Sequence, residues 1–254
     1  MTTDLTSTTY ERFDIGRVIS RAFGVIRRNF GMIAGLALLL SGLPTGLLAV
    51  AQSGVVPALG WMTAGLSWSW LLNMLIGAWL QAAVIRGAIT DLNGDRPTFG
   101  VCLGTATGDI LPLLGISVTA TIAIALGAIF FIVPGVILAL ILSVSAPVRV
   151  IERTGVFAAL ARSGDLTRNH RGSILGLFLL YGLGNVMIGV VGNLEFELLS
   201  LTGTTSAILS DIVIAPLTGA LTALIGATGI AAIYFELRTV KEGIGIEALA
   251  AAFD

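Results

Sequence analysis

Long apolar runs alternate with short charged clusters along this chain, and the lengths of the runs predict its architecture. Phe30 to Ala51 is 22 residues without a charge. Leu66 to Ala88 is apolar up to Arg86 near its end, and Trp61, Trp68 and Trp70 suit a membrane interface, where indole has one wet and one apolar side. Ile110 to Val148 runs for 39 residues without an ionisable side chain, which as one helix would measure roughly 58 Å. A hydrocarbon core is only about 30 Å thick. The run must therefore double back, and Pro134-Gly135 is the predicted turn, with spans over 110–132 and 135–151. Two more runs, Ser173 to Asn193 and residues 208–235, bring the count to six. The expected fold is an all-α polytopic membrane helix bundle forming a single membrane domain.

The passages between the runs have their own periodicity. Residues 1–12 are polar and read as a tail, and Met1 to Glu11 contains no apolar stretch before a small-residue cleavage site. The first span is then expected to act as its own insertion signal. Between Phe13 and Arg28, Ile15, Val18, Ile19, Ala22, Phe23 and Ile26 share one helical face, opposite Arg17, Arg21 and Arg28, with Asp14 as N-cap. This basic amphipathic helix either lies among anionic headgroups or docks on the protein's own inner face, and the two are compatible. Val156 to Leu166 predicts a second short amphipathic helix, and the tail over 236–254 is expected to be helical from Ile246. Within the spans, Pro44 is positioned to kink the first. Gly219, Ala223, Ala227 and Ala231 give the sixth a small-residue stripe for close packing.

Charge placement orients the bundle. All 14 Lys and Arg lie before span one, between two and three, between four and five, or after six; the intervening passages hold none. Under the positive-inside rule both ends and the segment Pro147 to Gly172 are cytoplasmic. The net charge of −1 adds nothing, but 56% hydrophobic and 11% charged residues, with mean hydropathy +0.96, exclude an ordinary soluble domain. Cys102 is the one cysteine, so no intramolecular disulfide forms, and it reads as a small apolar residue.

The chemistry-bearing residues are few. Arg17, Arg21, Arg28, Arg149, Arg162 and Ser163 are candidates for binding lipid headgroups through phosphate. Glu152, Arg162, Glu236 and Arg238 should reach one membrane edge, either as an ion-pair cluster or as solvated charges. Asn73, Gln81 and Asn185 are the strongly polar side chains inside spans, where hydrogen bonding between helices is their expected role. A polar cavity lined by them would favour transport instead. Ser163 has no base near it in sequence, His170 is a lone histidine, and no phosphate-cradling loop, zinc spacing or nucleic-acid patch occurs.

Pro147-x-x-x-x-Glu152, leading into Ala159-Leu160-x-Arg162-Ser163-x-x-Leu166-Thr167, and the closing Tyr234-x-x-Leu237-Arg238-x-x-x-Glu242-Gly243 form a set. Together with the helix from Phe13 to Asn29, they resemble the membrane-domain family named after glycerophosphoryl diester phosphodiesterase. The resemblance covers most of the chain and implies a bacterial polytopic protein without an assigned activity. It implies no catalytic site, because the clustered carboxylates and histidines of a metal-dependent phosphodiester hydrolase are missing. The expectation is a non-catalytic protein of the bacterial inner membrane, without metal or cofactor, acting in membrane or lipid homeostasis. Its partners would be membrane lipids, with a second copy or another membrane protein left open and nucleic acid excluded. The alternative is a transporter or channel for a small or lipidic substrate.

Overall fold

The computed structural model describes residues 13–52, 66–202 and 210–242. The expected tail over 1–12, Trp61 and the helix from Ile246 lie outside the described residues. Among those described, every regular element is helical. Helix α1 is Ile15–Arg28, opened by Asp14, whose carboxylate accepts from the Arg17 N–H at 3.1 Å. The first span is α2 (Phe30–Ala37), a π-helical turn (Leu38–Gly42) and α3 (Leu43–Gln52). Next come α4 (Leu66–Leu92), the short α5 (Phe99–Thr107) and α6 (Ile110–Phe130). They are followed by α7 (Ile132–Leu142), α8 (Ser145–Glu152), α9 (Val156–Thr167) and α10 (Arg171–Thr202). A second π-helical turn (Ser210–Ile214) leads into α11 (Ala215–Glu242). Among the described residues, six stretches are long and apolar enough to cross a membrane: Phe30–Ala51, Leu72–Leu92, Ile110–Phe130, Ile132–Glu152, Arg171–Gly192 and Ile212–Glu242.

The long central run does double back, but not at Pro134-Gly135. The break falls at Phe131, which is extended at φ −160°, ψ 147°. Pro134 sits in the first turn of α7, where a missing N–H costs nothing because that donor has no partner in the helix. Gly135 serves close approach: a Cβ there would lie 2.8 Å from that of Ala128. The returning span then breaks again at Ser143-Val144, before α8. Ser163 of α9 repairs that break by donating to the Ile141 carbonyl at 2.6 Å and accepting from the Val144 N–H at 3.3 Å.

Spans one and six share a device. In each, a π-helical turn precedes a proline in the first turn of the next helix, Pro44 in α3 and Pro216 in α11. The Leu43 N–H reaches back five residues to the Leu38 carbonyl, absorbing the register change that a mid-span proline demands. The two segments touch, and a Cβ on Gly46 would stand 3.3 Å from the Ile212 carbonyl.

The core lies between α4 and α11. Ala82, Ala83, Val84, Ile85 and Ala88 are fully buried on one, and Ala220, Leu224, Ala227, Ala231 and Tyr234 are buried on the other. The small-residue stripe of the sixth span is thus occupied at Ala227 and Ala231 but leaves Gly219 exposed. On the outside, Ile129, Phe130, Phe131 and Ile132 at the hairpin tip and Leu179, Leu183, Val186 and Val190 of α10 are exposed. That is the surface expected to face lipid.

Candidate functional site

Charged side chains gather at the end of the bundle where α1 and the C-terminal turns of α4, α8 and α11 meet, and they brace it in four clusters. Glu236 is fully buried on α11 and pairs with Arg17 at 2.9 Å and with Arg21, while accepting from the Asp14 N–H at 3.3 Å. Arg21 also lies over the Phe235 ring, 5.0 Å from its centre. A buried carboxylate is tolerable only with such a full set of donors. One residue here thus holds the amphipathic helix to the last span.

The second cluster ties α1 to α4: Arg28 pairs with Asp91 at 2.5 Å, and Asn29 donates to the same carboxylate at 2.6 Å. The hydrogen bond from Arg28 to Asp91 raises the Arg28 pKa above its ordinary value. The third joins α4, α6 and α8. Asp109, buried at the entry to α6, faces Arg149 at 3.3 Å and Arg86 at 3.8 Å, and these arginines also donate to the Thr154 and Val150 carbonyls. The fourth joins α8, α9 and α11. Arg162 lies 3.4 Å from Glu152 and pairs with Glu242, which accepts from Arg238 at 2.8 Å. Tyr234 donates to Glu152 at 3.0 Å and accepts from Arg238 at 3.3 Å.

The residues singled out from sequence therefore fall into distinct places. Glu152, Arg162 and Arg238 come together with Tyr234, whereas Glu236 belongs to the separate cluster around Arg17 and Arg21. Pro147 and Leu166 are buried as packing residues of α8 and α9. All six headgroup candidates, Arg17, Arg21, Arg28, Arg149, Arg162 and Ser163, are engaged by protein groups. Among the described residues, Arg27, Arg96, Arg153, Arg168 and Arg171 form no ion pair. Asp109 and Asp91 were not singled out, although Asp109 is the last charge before the long neutral run, a signal the sequence does carry.

His170 precedes α10 and stacks on Phe13, with ring centres 5.6 Å apart. Its pKa lies below the ordinary histidine value, first because of burial and then because of Lys241. Cys102 is buried on α5, and its burial raises the thiol pKa against the pull of Arg86.

Beside the braced end lies an apolar groove of about 300 Å³ between α1, α10 and α11. Val18 and Phe23 of α1, Phe178, Tyr181 and Asn185 of α10, and Ile233 of α11 line it. Tyr181 crosses it to donate to the Thr222 carbonyl at 3.1 Å. Asn185 donates to its own helix at Tyr181 O, 2.8 Å away. Gln81 and Asn73, on α4, are not among its lining residues, so they do not share this groove with Asn185.

No protein-family model matches this chain, and no solved structure is similar to it. A UPF0259 membrane protein of Pectobacterium carotovorum is 29% identical to it over 99 residues. That stretch is 39% of this chain and 40% of that protein, so the likeness spans less than half of either. Six membrane-length apolar helices and a membrane-protein relative identify the chain as an integral membrane protein, built as an all-α bundle.

Proposed function

We propose that this chain is a non-catalytic protein of a bacterial inner membrane, with both ends cytoplasmic, acting in membrane or lipid homeostasis through its basic inner face. The observation that carries the reading is a division of labour among the cations. One set is matched to carboxylates from other helices, while Arg27, Arg96, Arg153, Arg168 and Arg171 form no ion pair among the described residues. Near an anionic leaflet each such cation contributes about 1 kcal/mol of attraction. Ser163 and His170, which elsewhere serve as nucleophile and proton carrier, are here taken up by a helix break and by a stacked ring. The resemblance to the glycerophosphoryl diester phosphodiesterase membrane domains fits this reading, because Glu152, Arg162, Tyr234, Arg238 and Glu242 are joined in one cluster.

The test is thermal unfolding of the full chain in phosphatidylcholine vesicles with and without phosphatidylglycerol. The anionic lipid should raise Tm, and replacing these five arginines by Gln should remove most of the rise. Equal Tm in both lipids would overturn the reading. Transport of a lipidic substrate is the second reading, favoured by the groove that opens beside α10. Proteoliposomes that move a fluorescent phospholipid between leaflets faster than empty vesicles would support it.

A further inference from the structure

We infer that the corner where α4, α6 and α8 meet binds the phosphate of one anionic glycerophospholipid, held by Arg86, Arg149 and Thr154 and flanked by Leu111 and Phe157. This rests on the reading of the basic end as the lipid-contacting face, and it gives that face one defined seat. Charge comes first. Arg86 and Arg149 share a single carboxylate, that of Asp109, at 3.8 Å and 3.3 Å. Two guanidiniums against one carboxylate leave one positive charge over, at a place where Asp109 is only 7% exposed. An excess charge so far out of water calls for a counterion. A phosphodiester carries the one negative charge that cancels it.

Hydrogen bonding points the same way. A guanidinium has five N–H groups. Among the described residues, Arg86 donates to the Val150 carbonyl at 2.8 Å and Arg149 to the Thr154 carbonyl at 3.0 Å. The Nε atoms of both are buried without a hydrogen-bond partner, and so is the Thr154 hydroxyl. Around Glu236 one carboxylate collects donors from Arg17, Arg21 and Asp14. Around Asp109 the donors outnumber the acceptors. The corner is open to the outside: the two arginine side chains keep 18% and 17% of their surface, and a Cβ on Gly155 would meet no atom within 4 Å.

Depth and flanks make the guest a lipid. Asp109 and Arg149 are the charges on either side of the neutral run Ile110 to Val148, and Arg86 is the charge that closes the second span. All three stand where apolar helix gives way to charge, the level at which a lipid's phosphate meets its acyl chains. Val156, at the start of α9, lies against α6, with its Cγ2 3.3 Å from where a Cβ on Gly115 would stand. That contact brings Phe157 to the stretch of α6 that carries Leu111, four residues before Gly115 and on the same face. Leu111 is 81% and Phe157 77% exposed. A free phosphate gains nothing from such neighbours, whereas a lipid seated by its phosphate lays its acyl chains against them.

The full chain, purified in mild detergent, would be titrated with equal phosphatidylglycerol and phosphatidylcholine and weighed by native mass spectrometry. The wild type should hold one phosphatidylglycerol in preference to phosphatidylcholine. The charge balance sets that preference, by about fivefold for each unit of charge. Asp109→Asn should strengthen it, Arg149→Gln should weaken it, and the two together should return it to the wild-type value, a recovery that damage to the fold would not produce. Thr154→Val should lower retention about tenfold. If Asp109→Asn and Thr154→Val unfold like wild type and leave lipid binding unchanged, the inference falls, even with the anionic-lipid rise in Tm intact. If that rise is absent while the Asp109 and Arg149 variants still move the preference in opposite directions, the site stands and the wider basic-face reading falls. Inorganic phosphate that raises Tm of the delipidated chain as far as phosphatidylglycerol does would overturn the assignment to a lipid.

Discussion

Helices α4 and α10 are both long enough to cross a bilayer, yet they are held in place by different means. The span on α4 is 50% buried and that on α10 only 11%, although α10 is the more apolar of the two. In a soluble domain the most apolar element would be the most buried. Here apolarity meets lipid, and burial goes to the helix rich in small residues, Ala78, Ala82, Ala83 and Ala88, against which α11 can close. The braced end repeats the contrast. Helix α4 is tied there through Asp91 and Arg86, whereas α10 is anchored by the stack of His170 on Phe13 just before its first turn.

Four measurements can break or sharpen this contrast, beginning with the largest effect. Replacing Arg17 and Arg21 together by Ala strands the buried Glu236 carboxylate, and thermal unfolding in detergent should report a loss of about 3–5 kcal/mol. Adding Glu236→Gln should recover part of that loss, because no buried charge then remains. An unchanged profile for the double variant would mean that α1 is not held by Glu236.

Side-chain size comes next. Ala83→Leu at a fully buried position of α4 should cost about 1–3 kcal/mol through overpacking. Leu183→Ala on the exposed flank of α10 should stay within about 0.5 kcal/mol. Equal costs would erase the distinction between the two helices. Arg162→Ala, in the partly exposed fourth cluster, should cost about 1 kcal/mol, read as a lower Tm that Arg238→Ala does not add to in full, since both face Glu242.

The smallest effect is pH dependence at the start of α10. His170 titrates below the ordinary 6.5 when folded, so the folded state favours its neutral ring. That contribution is complete above pH 6.5 and is lost as pH falls below it. Tm should therefore decline from pH 7.5 toward pH 5, and His170→Gln should flatten that part of the profile. A decline of equal size in the variant would assign the effect to other groups.

Much of the bundle is legible in the chain, because lipid penalises a charge wherever it falls in a span. Phe30 to Ala51 and the reversal within Ile110 to Val148 follow from that penalty and a length. The turn at Phe131 does not, because a Pro-Gly pair opens a helix as readily as it ends one, and the choice depended on how closely Gly135 could approach Ala128. The partners of the cations were equally hidden. Arg17 could be placed on a polar face from its spacing, but nothing local announces a carboxylate on the far side of six spans. Ser163 reads as a phosphate ligand until the break at Ser143-Val144 is seen, and only then does its hydroxyl have a carbonyl to serve.

The tie between Asp14 and Glu236 spans 222 positions of chain. A ribosome adding about 5–20 residues per second needs roughly 10–40 s to cover that distance. Throughout that interval the opening amphipathic segment is already made while its buried acceptor is not. A nascent chain stopped short of residue 236 should leave that segment on the leaflet surface, open to protease. Completion would then draw it onto the finished bundle, making Glu236 on α11 the latch for α1.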